Sequence, residues 1–252
     1  MCSALRAEAA RESRCAARNG SGVTRAEVVA ALLAASLTPR PAPAASPRGV
    51  WADVTLEREG TALLAPFTVA IVLHNATGHV VHLRFPTADL FRVDVLRDDA
   101  PLWSSVTGHK PIPITRQFDV PPGQLRLAQV IVDSTTDDRR ALAPGNYTVR
   151  VAMLGTNFGL VVDKPITFDP PATIAQALQL KPGAVITIAG EPYVDGGIPR
   201  LRDATATIRL SRAVGIRGNT TVVVRGFLDA QGDERVFDVG RSAPAFEAAQ
   251  PA

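Results

Sequence analysis

Apolar side chains recur at every second position in two stretches between residues 67 and 85. Phe67, Val69, Ile71 and Leu73 are spaced by Thr68, Ala70 and Val72, and Val81, Leu83 and Phe85 are spaced by His82 and Arg84. Successive side chains on a β-strand point to opposite faces, so a period of two marks a strand with one face buried and one face wet. The "NATG" between the two runs reads as a tight turn, and the stretch predicts a hairpin. No long helical pattern interrupts the strands between Trp51 and Phe168, which confines that segment to sheets.

The same pattern continues along the sequence. Phe91, Val93 and Val95 alternate with Arg92 and Asp94 before a polar "RDDA" turn, and a strand is expected over 125–132. Tyr147, Val149, Val151 and Met153 share one face of a further strand. About seven short strands before residue 168 predict an antiparallel sandwich. "Pro-Gly-x-Tyr" at the start of the Tyr147 strand predicts a tyrosine corner, its ring turned inward and its hydroxyl bonded back to the turn.

Consecutive prolines in "FDPPAT" hold the backbone extended and stop either kind of element, so a linker is expected at 169–172. After it, Ile174, Ala177 and Leu178 fall at helical spacing behind Thr173, a suitable N-cap, with Gly183 near the stop. Four or five more short strands follow. The expectation is an all-β protein with an immunoglobulin-like antiparallel β-sandwich over 49–168 and a small OB-like β-barrel with one short helix over 173–240. A flexible tail is expected at 241–252.

Residues 1–48 differ in character. Arg25 precedes an apolar run from Val28 to Leu37 and then a Pro-rich, small-residue stretch ending in "APAA", the order of a secretory signal. Ten residues are too few to span a bilayer, which takes about 20. Cleavage near Ala44 or Ala45 and a secreted or periplasmic product are expected. Both cysteines, Cys2 and Cys15, lie in this leader, so the mature chain would hold no disulfide and no thiolate-bound metal.

The charge is concentrated there too. Of 27 Lys and Arg and 24 Asp and Glu, seven Arg and three Glu precede residue 49, leaving 20 against 21 in the remainder. A general polyanion-binding surface does not follow from so even a balance, and nucleic acid is not the expected partner.

Signatures of catalysis are missing from the sequence. It has no Gly-x-Ser-x-Gly elbow, no phosphate loop and no His-Glu-x-x-His. His74, His79, His82 and His109 lack the spaced partners of a zinc site. Asp98 with Asp99, and Asp137 with Asp138, fall in expected turns. Ser104 and Ser105 have no histidine tied to them by a motif. The expectation is a protein without catalytic residues, metal or cofactor.

"FTVAIVLHNATGHVVHLRFPTADLFRVDVLRDDAPLWSS", "VPPGQ" and "LAPGNYTV" carry Asn75, Phe85, Phe91, Trp103, Ser104, Pro122, Gly123, Leu142, Pro144, Gly145 and Tyr147. In that order they resemble the BsuPI-type (intracellular proteinase inhibitor) domain family over about residues 62–154. The resemblance implies a protein partner of the serine proteinase class. On a sandwich, connecting segments carry function, and "VTGHKPIPITRQFDVPPG" is the long one. His109, Lys110, Ile112, Ile114, Arg116 and Phe118 are its candidate partner-binding residues. About 173–240 is similar to small OB-fold modules, which bind single strands on aromatics beside a basic groove. Tyr193, Arg200, Arg202, Arg225 and Phe227 are the candidates for that alternative, a single-stranded nucleic-acid or envelope-polymer binder.

Overall fold

The alternation over 67–75 becomes β3 (Phe67–Asn75), in which every odd-numbered residue is buried. This comes from a computed structural model describing residues 49–108, 110–155, 157–214, 220–231 and 234–245. The expected leader and its expected cleavage site near Ala44 or Ala45, His109 and residues 246–252 lie outside the described residues.

Strand β3 is the centre of a three-stranded antiparallel sheet, between β1 (Val50–Leu56) and β8 (Gly123–Val132). The opposing sheet has the order β2 (Gly60–Ala62), β10 (Gly159–Asp169), β9 (Gly145–Leu154), β5 (Phe91–Arg97) and β6 (Ala100–Ser104). All its neighbours are antiparallel except β2, which runs parallel to β10. A separate ribbon pairs β4 (Val81–Phe85) with β7 (Arg116–Val120). The β5–β6 hairpin turns on Asp98 and Asp99, both at positive φ (50° and 62°), the conformation a two-residue primed turn requires.

The expected hairpin between residues 67 and 85 does not form, because β3 pairs with β1 and β8 while β4 pairs with β7. Asn75 redirects the chain. Its Nδ2 donates to the carbonyls of His79 and Val120, both at 2.8 Å, and its Oδ1 accepts from the N–H of Thr77 at 2.9 Å. The turn is thereby fixed to β7, and β4 crosses to a different partner. Leu83 and Phe85 still enter the same core as Phe67 to Leu73, so the alternation identified the buried face but not the neighbour.

Four phenylalanines, Phe67, Phe85, Phe158 and Phe168, are fully buried in the sandwich, each contributing about 1.5–3 kcal/mol relative to exposure. Phe168 meets Phe67 edge-on at 6.1 Å and Tyr147 at 5.1 Å and 90°. The tyrosine corner is present, since Tyr147 is buried and its Oη donates to the carbonyl of Ala143 at 2.7 Å. Burial pushes its phenol pKa upward against the opposing influence of Arg97.

Helix α1 (Ile174–Leu178) starts at a capping box: Thr173 Oγ1 accepts from the N–H of Gln176, and Gln176 Oε1 accepts from the N–H of Thr173. Ile174 and Ala177 are buried in the barrel core. The barrel is closed in the order β11 (Val185–Asp195), β12 (Ile198–Arg202), β13 (Thr207–Leu210), β15 (Glu234–Pro244) and β14 (Val222–Gln231), with β13 and β15 parallel. Closure forces strands together at two glycines. A Cβ on Gly226 would stand 1.9 Å from the carbonyl oxygen of Asp238, and one on Gly190 would stand 2.4 Å from that of Arg202. The architecture is therefore all-β, a sandwich followed by an OB-like barrel with one short helix.

Sandwich and barrel belong to one compact unit. Ala189 of β11, Val223 of β14 and Ala243 of β15 pack into the sandwich core. Thr187 Oγ1 donates to the carbonyl of Leu63 at 3.0 Å, and the N–H of Ala141 donates to the carbonyl of Pro244 at 2.8 Å. Two expected boundaries move as a result. Within the expected linker, Asp169 is the last residue of β10 and Ala172 donates its N–H to Thr187. Residues 241–244, expected in the tail, are the end of β15, and Ala245 bridges Ala141. Proline and small-residue composition suggested loose chain, but main-chain pairing across the seam uses those positions.

Candidate functional site

The segment ahead of β7 is anchored at its start by Asp137, whose carboxylate accepts from the N–H of Ser104 at 3.1 Å and from Thr107 Oγ1 at 2.7 Å. Residues 110–115 carry no regular structure before β7 begins at Arg116. The carbonyl of Ile112 accepts from the N–H of Ala88 at 3.1 Å and from the N–H of Ile114 at 2.8 Å, a three-residue turn about Pro113. Pro111 and Pro113 fix φ on either side of Ile112. Ile112 is 57% exposed and Ile114 46%. Lys110 is exposed as well.

The rest of the expected loop is not loop. Arg116 and Phe118 lie on β7, opposite Phe85 and Leu83 of β4. Arg116 is exposed, whereas Phe118 is half-buried against the sandwich core. Period two is visible in "RQFDV", but the prolines on both sides masked the strand. His109 lies outside the described residues. Lys110, Ile112, Ile114 and Arg116 thus form the exposed run.

The ribbon beneath this run is braced by polar contacts. His82 Nδ1 lies 2.6 Å from Asp119 Oδ1, and Gln117 Nε2 donates to the same oxygen at 3.2 Å. The His82 hydrogen bond, then that of Gln117, holds the Asp119 carboxyl below its usual range. Asn157 acts as a substitute strand on the free side of β4, accepting from the N–H of Arg84 at 2.8 Å and donating to the carbonyl of His82 at 2.9 Å. No local sequence signal marks Asn157, which is 75 residues from its partner.

The candidates on the barrel divide into separate places. Tyr193 stands opposite Arg200, and the guanidinium carbon of Arg202 lies 5.6 Å from the Tyr193 ring centroid. Tyr193 and Arg200, with Pro192, Val194, Pro199 and Leu210, line a hollow of about 120 Å³. The arginines are already engaged: Arg202 Nη2 meets Glu191 at 3.0 Å, and Arg200 meets Asp195 at 3.3 Å and Glu234 at 3.6 Å. Phe227 stands opposite Val185, at the other end of β11 from Tyr193. Arg225 is half-buried at the seam, donating to Thr187 Oγ1 at 3.1 Å. The five expected residues do not form one groove, because their order along curved strands sends them to different sides of the barrel.

Histidines and acids stay dispersed. His74 Nε2 pairs with Asp53 at 2.8 Å beneath a stacked Trp51, and His79 Nδ1 lies 3.0 Å from the carbonyl of Thr77. Among the described residues, no three His, Cys, Asp or Glu side chains converge as a metal would require. Ser105 Oγ accepts from the N–H of Val93. Among the described residues, no helix is long and apolar enough to cross a membrane.

No family model matches the chain, and no curated protein matches it. Among solved structures it is similar to a β-glucosidase, EmGH1, from Erythrobacter marinus, at 13% identity and a TM-score of 0.29. The match covers 47% of this chain and spans 15% of the length of that one.

Proposed function

We propose that the protein is an exported, non-catalytic module that binds another protein through the run from Lys110 to Arg116, a serine proteinase being the partner class its BsuPI-type resemblance implies. The observation that supports this is the exposure of Ile112 and Ile114 on a segment bracketed by prolines and tied to Ala88. Two exposed β-branched side chains on a restrained backbone give apolar contact area at low ordering entropy. An extended segment of this kind fits a groove or a sheet edge, where main-chain bonds give affinity and alternate side chains give selectivity.

The test is inhibition and capture of a broad proteinase panel by the purified chain. Replacing Ile112 and Ile114 together by Asp is expected to weaken binding at least tenfold, with an unchanged far-ultraviolet spectrum. Absence of both inhibition and capture across the panel removes the reading.

A second reading, a single-stranded nucleic-acid or envelope-polymer binder, draws on the Tyr193, Arg200 and Arg202 cluster beside the 120 Å³ hollow. It predicts salt-dependent retention on single-stranded DNA that Tyr193→Ala abolishes and Phe227→Ala leaves intact.

A further inference from the structure

Strands β14 and β15 place Arg225 directly opposite Arg241, next to an irregularity in their register. Like charges facing each other across an antiparallel pair repel. Burial, then the charges of Arg58 from the turn between β1 and β2 and of Arg241, lower the pKa of Arg225.

The three arginines are unevenly compensated. Arg58 Nη2 meets Glu57 at 3.2 Å and Arg241 Nη1 meets Asp133 at 2.9 Å, both pairs exposed. Arg225 is the most enclosed of the three, and among the described residues no carboxylate pairs with it. Its Nη1 donates to Thr187 Oγ1, a neutral acceptor. Thr187 is itself buried and uses its own proton on Leu63, so it can relieve none of the charge.

We propose that Arg58, Arg225 and Arg241 form a binding site for an oxyanion of the phosphate class at the seam between sandwich and barrel. A tetrahedral oxyanion offers several acceptor oxygens to guanidinium donors arriving from β14, β15 and the β1–β2 turn. It supplies a counter-charge to Arg225, the member of the facing pair that no carboxylate meets among the described residues, while Arg241 already has Asp133. Because the donors come from both modules, its occupancy also tightens the seam. The inference is independent of the proposed protein partner, whose contact run lies on the sandwich before β7.

The experiment is thermal unfolding of the full chain in inorganic phosphate against sodium chloride of equal ionic strength. At about a hundredfold excess over the dissociation constant, phosphate is expected to raise Tm by about 5–10 °C. Arg225→Gln is expected to abolish the difference. Equal Tm in phosphate and chloride overturns the proposal, and so does a phosphate effect that survives in Arg225→Gln. If Arg225→Gln does not fold, Arg241→Gln is read by the same criterion. Broadening of the phosphate ³¹P resonance by the wild-type chain is the direct check, and an unbroadened resonance overturns the site. Phosphatidylglycerol vesicles distinguish the source: capture competed by phosphate assigns a lipid headgroup, and a phosphate effect without capture assigns a free anion.

Discussion

Thr187 Oγ1 donates a 3.0 Å hydrogen bond to the main-chain carbonyl of Leu63, 124 residues earlier in the chain. The same oxygen accepts from Arg225, so one buried hydroxyl joins β11, β14 and the segment after β2. Thr187→Val keeps the shape and removes both bonds, at an expected cost of about 1–3 kcal/mol. Both tryptophans, Trp51 and Trp103, lie in the sandwich, so fluorescence reports that module while far-ultraviolet dichroism reports both. The two urea midpoints are expected to coincide in the wild type and to fall together in the variant. Separate wild-type midpoints would show that the seam does not couple the modules.

Tyr147→Phe tests the corner. The ring keeps its edge-on contact with Phe168 and only the 2.7 Å bond to Ala143 is lost. The expected loss is about 1 kcal/mol, read as a lower urea midpoint at unchanged slope. A variant as stable as the wild type would mean that the hydroxyl contributes nothing there.

Acid sensitivity should centre on Asp203. Burial opposes its ionisation, but hydrogen bonds from Thr205 Oγ1 and from the N–H groups of Ile174, Ala206 and Thr205 outweigh it and bring the pKa to about 2. The folded value lies below the unfolded reference of 3.8, so this stabilisation is present above pH 4 and disappears as pH falls from about 4 to about 2. Asp203→Asn should flatten the stability profile across that window. An identical profile in the variant would assign the acid loss to other carboxylates.

Gly226→Ala should be severe, because the new methyl would meet a carbonyl oxygen of the paired strand. A loss of about 3 kcal/mol or more is expected, with failure to accumulate as soluble protein an extreme form. Gly78→Ala is the contrast: φ is +76° but the space is open, so the cost should stay near 1 kcal/mol. Similar costs at both positions would indicate that the strands relax around the new methyl at Gly226 and that the close contact does not set the requirement.

Much of the fold was legible because β-strands record their buried face every second residue. Phe67 to Leu73 and Tyr147 to Met153 point inward as read, and Thr173 caps its helix. Pairing was less visible. Either partner would satisfy the alternation of β4, and the choice was made by the amide of Asn75 reaching Val120, 45 residues away. The candidate site shows the same division. Pro111 and Pro113 marked an exposed, stiffened run, but they hid β7, which turns Phe118 inward. Arg225 was expected with Tyr193, Arg200, Arg202 and Phe227 in a polymer-binding groove, yet it stands opposite Arg241, which comes from residues taken as a tail.

Closure of the barrel has one more consequence. With β13 and β15 joined in parallel, the barrel strands among the described residues close on one another and offer no open sheet edge on which another chain could be added. On the sandwich, β2 and β6 are only three and five residues long, and β6 carries Pro101. The ten-residue β8, with Ile131 67% exposed, is the longest open rim. Any templated self-assembly at high concentration should therefore begin there, and a lysine at position 131 is the simplest guard against it.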